Sequence, residues 1–127
     1  YANSEGMLNS SELENNTLLI NFFATWCPPC RKEVPSFIEL QKQYQDRGFQ
    51  VIGMSIDLEG AEPVRGFMEE LGITYPVVLA TQQTAADYGG VYTIPTTFLV
   101  NKKGQIVKTY TGLFSYETFV KDIESIL

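Results

Sequence analysis

The sequence predicts a single α/β domain in which helices cover both faces of a mixed β-sheet. Its 127 residues are 44% apolar and 13% aromatic, enough to close one hydrophobic core without metals or cross-links. Apolar segments of strand length alternate with segments of helical periodicity, and the last two strand segments are joined by a tight turn. Crossovers give parallel strands and a tight turn gives an antiparallel pair, so we expect a mixed sheet. The domain should span residues 1–127, with residues 1–6 as a flexible lead-in.

The first part of the chain predicts a buried strand followed by a helix. Residues 1–16 are polar and turn-rich and predict a short strand or turn. Residues 18–24 form a near-continuous apolar run, which is typical of a central strand covered on both faces. The helical segment that follows should end near Arg47, because Gly48 stops it. Pro35 lies inside that segment, where it must cost a backbone hydrogen bond and produce a kink.

The middle of the chain predicts two further strands and two helices. Residues 49–56 and 76–80 have the composition of strands. Between them, apolar residues recur at i, i+3, i+4 and i+7, with Pro63 near the start and Gly72 just past the end. That pattern predicts an amphipathic helix. A short helix is expected over residues 83–88.

The end of the chain predicts an antiparallel hairpin and a last helix. Residues 96–100 and 105–111 are strand segments, and a turn at residues 102–104 joins them. Ser115 is a suitable N-cap for the final helix. That helix should bury four apolar side chains, Phe119, Val120, Ile123 and Leu127.

The composition excludes several classes of function. The 15 acidic residues outnumber the 9 basic ones, and the net charge of -6 argues against a nucleic-acid partner. The chain has no histidine, which excludes a Ser-His-Asp or Cys-His relay and His-ligated zinc or haem. A c-type haem attachment motif is also excluded, because Arg31 stands where it needs histidine. Two cysteines cannot complete a four-cysteine site, so we expect no metal.

Cys27 and Cys30 are the only cysteines, and they lie where the buried strand turns into the first helix. A thiol in the first turn of a helix faces unpaired N–H groups and the positive end of the helix dipole. We therefore expect its pKa to fall below the free value of about 8.5. Cys27 is predicted to be the exposed attacking thiol. Cys30, nearly one turn further along, could then attack a mixed disulfide formed at Cys27.

Two structural explanations compete with this redox interpretation, a stapling disulfide and a chance pair of buried thiols. In the chain-entropy model the stabilisation by a disulfide grows with the length of the closed loop. A four-residue ring gains the least, on the order of 2 kcal/mol. Such a ring stabilises little but opens and closes easily, so we favour the redox interpretation.

Two motifs carry a family resemblance. Residues 22–35 are FFATWCPPCRKEVP, and residues 94–100 are IPTTFLV, followed by a hairpin turn at residues 103–104. Together they resemble the thioredoxin superfamily and, within it, the TlpA/ResA-type thiol-disulfide oxidoreductases of the bacterial cell envelope. The resemblance covers residues 7–127. It implies a thioredoxin fold with a central strand–helix insertion around residues 57–80.

The resemblance also implies roles around the cysteines. Pro95 would be the cis-proline that faces the dithiol, whereas the residues alone favour an ordinary proline opening a strand. Ile94 would then offer its backbone to an incoming peptide strand. From the residues themselves we expect Trp26 to shield the sulfurs and to form an apolar docking patch with Pro28, Ile94 and Tyr92. The alternative for Trp26 is a partly exposed aromatic that anchors the loop.

Two polar residues bear on proton transfer. Asn21 stands where the general thioredoxin pattern has a buried Asp that moves protons, and an amide cannot take a proton. We expect it to be a buried amide hydrogen-bonded within the fold. Glu33, three residues after Cys30, is predicted to accept the Cys30 proton and to raise the pKa of both thiols. The alternative is a solvated glutamate that complements the helix dipole.

The residues between and beyond the cysteines bear on the direction of electron flow and on ligands. Pro28 and Pro29 remove two N–H donors from the turn between the cysteines. The Cys27 thiolate should therefore be less stabilised, which favours the disulfide and makes the reduced protein a better electron donor. The acidic run at residues 57–62 is expected to be a solvated loop rather than a ligand site.

The residues between the cysteines therefore predict a reductase, and the resemblance implies that it acts on disulfides in extracytoplasmic proteins, with apocytochrome c cysteines as one candidate substrate. The resemblance implies a membrane dithiol donor and a place in the periplasm or at the outer face of the cytoplasmic membrane, with the anchor or signal outside this sequence. We expect a monomer with no cofactor beyond the Cys27–Cys30 disulfide. The alternatives are a thiol peroxidase of peroxiredoxin-like type and a redox-gated binding module.

Overall fold

A computed structural model of the chain describes residues 15–57, 60–80 and 93–127. These residues hold five strands and three helices in the predicted order. The strands are β1 (Thr17–Phe23), β2 (Phe49–Ser55), β3 (Val77–Leu79), β4 (Thr96–Val100) and β5 (Ile106–Thr111). The helices are α1 (Pro28–Tyr44), α2 (Ala61–Leu71) and α3 (Tyr116–Ile126). The lead-in over residues 1–6 and the helix expected over residues 83–88 lie outside the described residues.

The strands form one mixed sheet in the order β3-β2-β1-β4-β5, with β1 in the centre. β1 runs parallel to β2, with Ile20 opposite Ile52, and antiparallel to β4, with Ile20 opposite Phe98. β2 and β3 are parallel, whereas β4 and β5 form the antiparallel hairpin. Every residue of β1 is buried, which confirms the prediction of a central strand.

The first helix starts at Pro28, inside the cysteine motif, and its α-helical part ends at Tyr44, before the predicted end near Arg47. A short 3₁₀ segment, Gln45–Arg47, follows α1, and Gly48 adopts a left-handed φ of 73°. Glycine takes this conformation without the steric cost that a side chain would meet, so Gly48 ends the helix and turns the chain into β2. Pro35 lies inside α1, as expected from the sequence.

The core consists of two clusters of apolar side chains, one on each face of the sheet. Alternate residues of β1 point to opposite faces, so Leu19 and Phe23 join one cluster and Ile20 and Phe22 the other. All three described helices contribute to the cluster that contains Leu19. A helix over the opposite face stays a prediction, because the segment expected to form it is outside the described residues.

The last helix buries fewer side chains than predicted. Phe119 and Ile123 are fully buried, whereas Val120 and Leu127 are only half-buried against the core. The Phe119 ring packs edge-on against Tyr110, with ring centroids 4.8 Å apart. This contact holds α3 against the hairpin.

The N-cap of α3 offers a test of the fold. The Ser115 hydroxyl accepts a hydrogen bond from the Thr118 N–H at 3.3 Å, as predicted for an N-cap. Ser115→Ala should lower the free energy of unfolding by about 1 kcal/mol, because one N–H of the first turn loses its partner. Urea denaturation measures the change. Ser125→Ala, near the other end of the helix, is the control and should change stability by less than about 0.5 kcal/mol. Equal stability of both variants would contradict the cap assignment.

Candidate active site at the start of the first helix

Cys27 and Cys30 are joined in a disulfide, and their Cα atoms are 5.3 Å apart. Cys27 is the N-cap of α1, with extended backbone angles, and Cys30 lies in the first turn. The Cys30 N–H donates to the Cys27 sulfur at 3.3 Å. The sulfur of Cys27 therefore lies at the positive end of the helix, as the sequence predicted.

Two prolines limit the donors that can reach this sulfur. Pro28 and Pro29 occupy the first two positions of α1 and carry no N–H. The Cys30 amide is therefore the first backbone donor of the helix. Proline at these positions costs the helix little, because the N–H groups there have no partner within the helix.

The cysteines are more buried than the sequence suggested. Only 4% of Cys27 and 1% of Cys30 is exposed, so the prediction of an exposed Cys27 is wrong for this disulfide form. The reason is the turn before the helix, in which the Cys27 N–H donates to the Ala24 carbonyl at 3.2 Å. The turn directs Cys27 into the core cluster and leaves Trp26 70% exposed.

Pro95 follows a cis peptide bond from Ile94, as the family resemblance implied, and the alternative of an ordinary trans proline is wrong. Pro95 is buried directly before β4. Phe22 of β1 pairs with Thr96 of β4, so the end of β1 and the start of β4 meet at the same edge of the sheet. Pro95 therefore lies at the edge from which the chain continues into the cysteine motif.

The residues predicted to form a docking patch are only partly described. Trp26 and Pro28 are exposed, whereas Ile94 is half-buried and packs against the core cluster that contains both cysteines. Tyr92 lies outside the described residues. Trp26 and Pro28 therefore form the exposed apolar surface at the start of α1.

Glu33 is a buried acid on the same helix as the cysteines. Only 1% of it is exposed, so the alternative of a solvated glutamate is wrong. Its Oε2 atom accepts a hydrogen bond from the Phe114 N–H at 3.0 Å, and Oε1 has no hydrogen-bond partner among the described residues. Burial raises the pKa of Glu33 from 4.5 to about 7, although the Phe114 N–H opposes this shift.

Asn21 is hydrogen-bonded within the sheet, as predicted. Its side-chain N–H donates to the Thr97 hydroxyl at 2.9 Å, across the β1–β4 pair. The buried amide is thereby satisfied, so the polar side chain is accommodated in the central strand.

Asp57 is a site residue that the sequence interpretation missed. It was expected in a solvated loop, but it is half-buried and its carboxylate accepts hydrogen bonds from the Thr25 hydroxyl and the Ser55 hydroxyl, at 2.7 and 2.6 Å. Glu62, in the same acidic run, is exposed as predicted. Its place in the chain could have indicated this, because Asp57 directly follows β2, at the same edge of the sheet where β1 leads into Cys27.

A sequence model of the Redoxin family matches residues 2–127 of the chain. This chain belongs to the redoxin family. Curated relatives of this redoxin include two proteins named thiol-disulfide oxidoreductase ResA. The protein from Bacillus subtilis (strain 168) is 33% identical over 117 residues, covering 92% of this redoxin and 64% of the relative. The protein from Geobacillus thermodenitrificans is 36% identical over 109 residues, covering 86% of this redoxin and 62% of the relative. The redoxin thus spans less than two thirds of these relatives.

Solved structures confirm the thioredoxin fold. A thiol:disulfide interchange protein of the thioredoxin family from Chlorobium tepidum TLS is 34% identical with a TM-score of 0.85, over 94% of this redoxin and 85% of that chain. StoA from Bacillus subtilis is 28% identical with a TM-score of 0.75, over 85% of this redoxin and 82% of the StoA chain. The predicted resemblance to ResA-type proteins is thereby confirmed at the level of the family and the fold.

Two further observations concern the described part of the redoxin. Residues 15–57, 60–80 and 93–127 contain no group of three acidic or cysteine side chains arranged to hold a metal ion. No helix in these ranges combines the length and the apolar character that crossing a membrane requires.

Proposed function

We propose that this redoxin is a thiol-disulfide oxidoreductase that reduces disulfides in other proteins. The observation that carries the proposal is the Cys27–Cys30 disulfide, which joins the N-cap of α1 to its first turn. A ring this small adds little stability, whereas the helix N-terminus favours the thiolate needed for exchange. The names of the ResA relatives support the same chemistry.

The proposed reaction is two successive exchanges of sulfur partners. The Cys27 thiolate attacks one sulfur of the substrate disulfide, that disulfide breaks, and the leaving sulfur takes up a proton. Cys30 then loses its proton and attacks the Cys27 sulfur, which closes the Cys27–Cys30 disulfide and releases the second substrate thiol. Two electrons pass from the protein to the substrate, and a dithiol donor returns the protein to its reduced form.

Glu33 is the proposed acceptor of the Cys30 proton. It lies three residues after Cys30 on α1, and its pKa of about 7 lets it take up and release a proton near neutral pH. One of its oxygens, Oε1, has no hydrogen-bond partner among the described residues. That oxygen is available to receive a proton.

The proposed direction is reduction of the substrate. Pro28 and Pro29 leave the Cys30 amide as the first helical donor to the Cys27 sulfur, so the thiolate receives limited stabilisation. A negative charge on Glu33 opposes the thiolates further. Both effects favour the protein's own disulfide, so the reduced protein gives up its electrons readily.

The substrate would dock where the apolar surface meets the cis-proline. Trp26 and Pro28 are exposed beside the buried Cys27, and Ile94 and Pro95 lie at the adjoining edge of the sheet. A peptide strand bound along the backbone of Ile94 would bring its disulfide to the start of α1.

The proposal extends to the compartment, the substrate and the partners. Disulfides persist in oxidising compartments, so a protein that reduces them in other proteins would act outside the cytoplasm. We propose a membrane dithiol as the electron donor and apocytochrome c cysteines as one substrate. We further propose a monomer that uses the Cys27–Cys30 pair as its redox group.

Insulin reduction tests the proposed function. The reduced protein should accelerate the reduction of insulin disulfides by dithiothreitol, and its reduction potential against glutathione should lie well below about −200 mV. Protein alkylated at both thiols is the matched control, because the chain has only two cysteines. A rate equal to that of the alkylated protein would overturn the oxidoreductase proposal. A potential near about −120 mV would instead indicate an oxidant.

A further inference from the structure

β1 passes into α1 through a tight turn over residues 24–27. The Cys27 N–H donates to the Ala24 carbonyl across this turn, at 3.2 Å. The turn sends the Trp26 side chain outward and the Cys27 side chain into the core, with 70% and 4% exposure. The contacts that stabilise this turn therefore also determine the orientation of the Cys27 side chain.

The Asp57 carboxylate holds the N–H side of this turn. It accepts the Thr25 N–H at 3.1 Å on Oδ2 and at 3.3 Å on Oδ1, and the Thr25 hydroxyl at 2.7 Å on Oδ1. The carboxylate is itself oriented by Ser55, whose hydroxyl donates to Oδ2 at 2.6 Å and accepts the Asp57 N–H at 3.0 Å. Hydrogen bonds to an ionised carboxylate are stronger than those between neutral groups.

Arg31 holds the carbonyl side of the same residue. Its guanidinium donates to the Thr25 carbonyl at 3.5 Å and forms a salt bridge with Glu70. The same guanidinium lies 5.3 Å from the centre of the Phe67 ring. Glu70 and Phe67 are both on α2. The Thr25 N–H is therefore bound by Asp57, and the Thr25 carbonyl is linked through Arg31 to α2, so both contacts connect the turn to the segment that follows β2.

We propose that Asp57 is a positioning residue that holds the Thr25 turn and thereby aligns the Cys27 sulfur with Cys30. This inference rests on the proposed function, because alignment matters only if the two sulfurs open and close their bond. A held turn keeps one thiol close to the other, which favours closure of the disulfide. A loosened turn lowers the stability of that disulfide and makes the reduced protein a weaker reductant.

Two single variants, their double variant and two controls test the inference. Asp57→Asn keeps the shape of the side chain but removes its charge and one acceptor oxygen. Thr25→Val removes only the hydroxyl that Asp57 binds, and Thr25→Ser retains it. Asp46→Asn removes the same charge at the far end of α1, on an exposed side chain. The equilibrium constant between each variant and glutathione can be followed by fluorescence, because Trp26 is the single tryptophan and adjoins Cys27.

The expected result is a shift of the equilibrium that follows the hydrogen bonds rather than the charge. Asp57→Asn and Thr25→Val should each lower the equilibrium constant for the disulfide by at least about threefold, and the double variant should lower it by less than the product of the two. Thr25→Ser and Asp46→Asn should retain the parent value. All constants are measured well below the unfolding temperature of each variant, so a loss of stability alone leaves them unchanged.

Three results would overturn the inference. They are a parent-like constant in Asp57→Asn, an equal shift in Asp46→Asn, and shifts of Asp57→Asn and Thr25→Val that multiply in full in the double variant. The last would mean that Asp57 acts on the sulfurs independently of its hydrogen bond to Thr25. Insulin reduction by the parent protein is scored separately: its absence overturns the proposed function, whereas its presence with an unchanged constant in Asp57→Asn overturns only the role of Asp57.

Discussion

Replacement of Cys27 by alanine should abolish insulin reduction, and replacement of Cys30 by alanine should stop the reaction after the first exchange. Removing a reacting nucleophile leaves only background chemistry, so turnover should fall by about 10³-fold or more in both variants. The two variants differ in what accumulates. Cys30→Ala retains the attacking thiol at the N-cap and loses the group that resolves the mixed disulfide, so the mixed disulfide should be trapped.

The trapped species can be measured by non-reducing electrophoresis and mass spectrometry. In Cys30→Ala the chain has one remaining cysteine, so any mixed disulfide with a substrate peptide must be at Cys27. Cys27→Ala is the matched control, because its remaining thiol lies inside the first turn of α1, whereas the thiol that remains in Cys30→Ala is at the N-cap. Equal trapping in both variants would contradict the assigned order of attack. Undiminished turnover in Cys27→Ala would contradict the redox interpretation altogether.

The stability of the oxidised protein should fall as the pH rises from about 4.5 to about 7, because of Glu33. Burial raises the pKa of this carboxyl from 4.5 in the reference state to about 7 in the folded protein. Between these values the folded chain holds a proton that the unfolded chain has released. The free energy of unfolding therefore decreases with pH in this window, and the contribution present below the lower pKa is lost above the higher one. The total is about 3 kcal/mol.

Glu33→Gln isolates this contribution. Glutamine can still accept the Phe114 N–H but carries no charge, so the variant should lose this downward trend and be more stable than the parent at pH 8, by up to about 3 kcal/mol. Urea denaturation at a series of pH values measures both profiles. Tyr75, whose pKa is raised by burial and by the charge of Glu33, stays neutral throughout.

The control for this experiment is Glu39→Gln, an exposed acid on the same helix. It should retain the pH dependence of the parent, because its carboxyl is exposed to solvent. Parallel profiles for the parent and Glu33→Gln would contradict the raised pKa. They would also remove the argument that Glu33 is suited to exchange a proton with Cys30 near neutral pH.

The sequence by itself determined the order of the strands and helices along the chain and the position of the two cysteines at the start of the first helix. Residues 18–24 predicted the central strand, and Gly48 and Gly72 predicted the ends of two helices. Both glycines adopt left-handed backbone angles. These features depend on the period of apolar residues and on single residues with special backbone preferences. Both act over a few positions of the chain, so they can be recognised without the fold.

Only the tertiary structure decided the environment of the site residues. The Phe114 amide that binds Glu33 is 81 positions away along the chain, and Thr25 is 32 positions from the Asp57 that binds it. The burial of Cys27 likewise follows from a turn that packs it into the core. Periodicity reports which side of an element a residue occupies, but burial and hydrogen-bond partners depend on which distant segments the fold brings against that side.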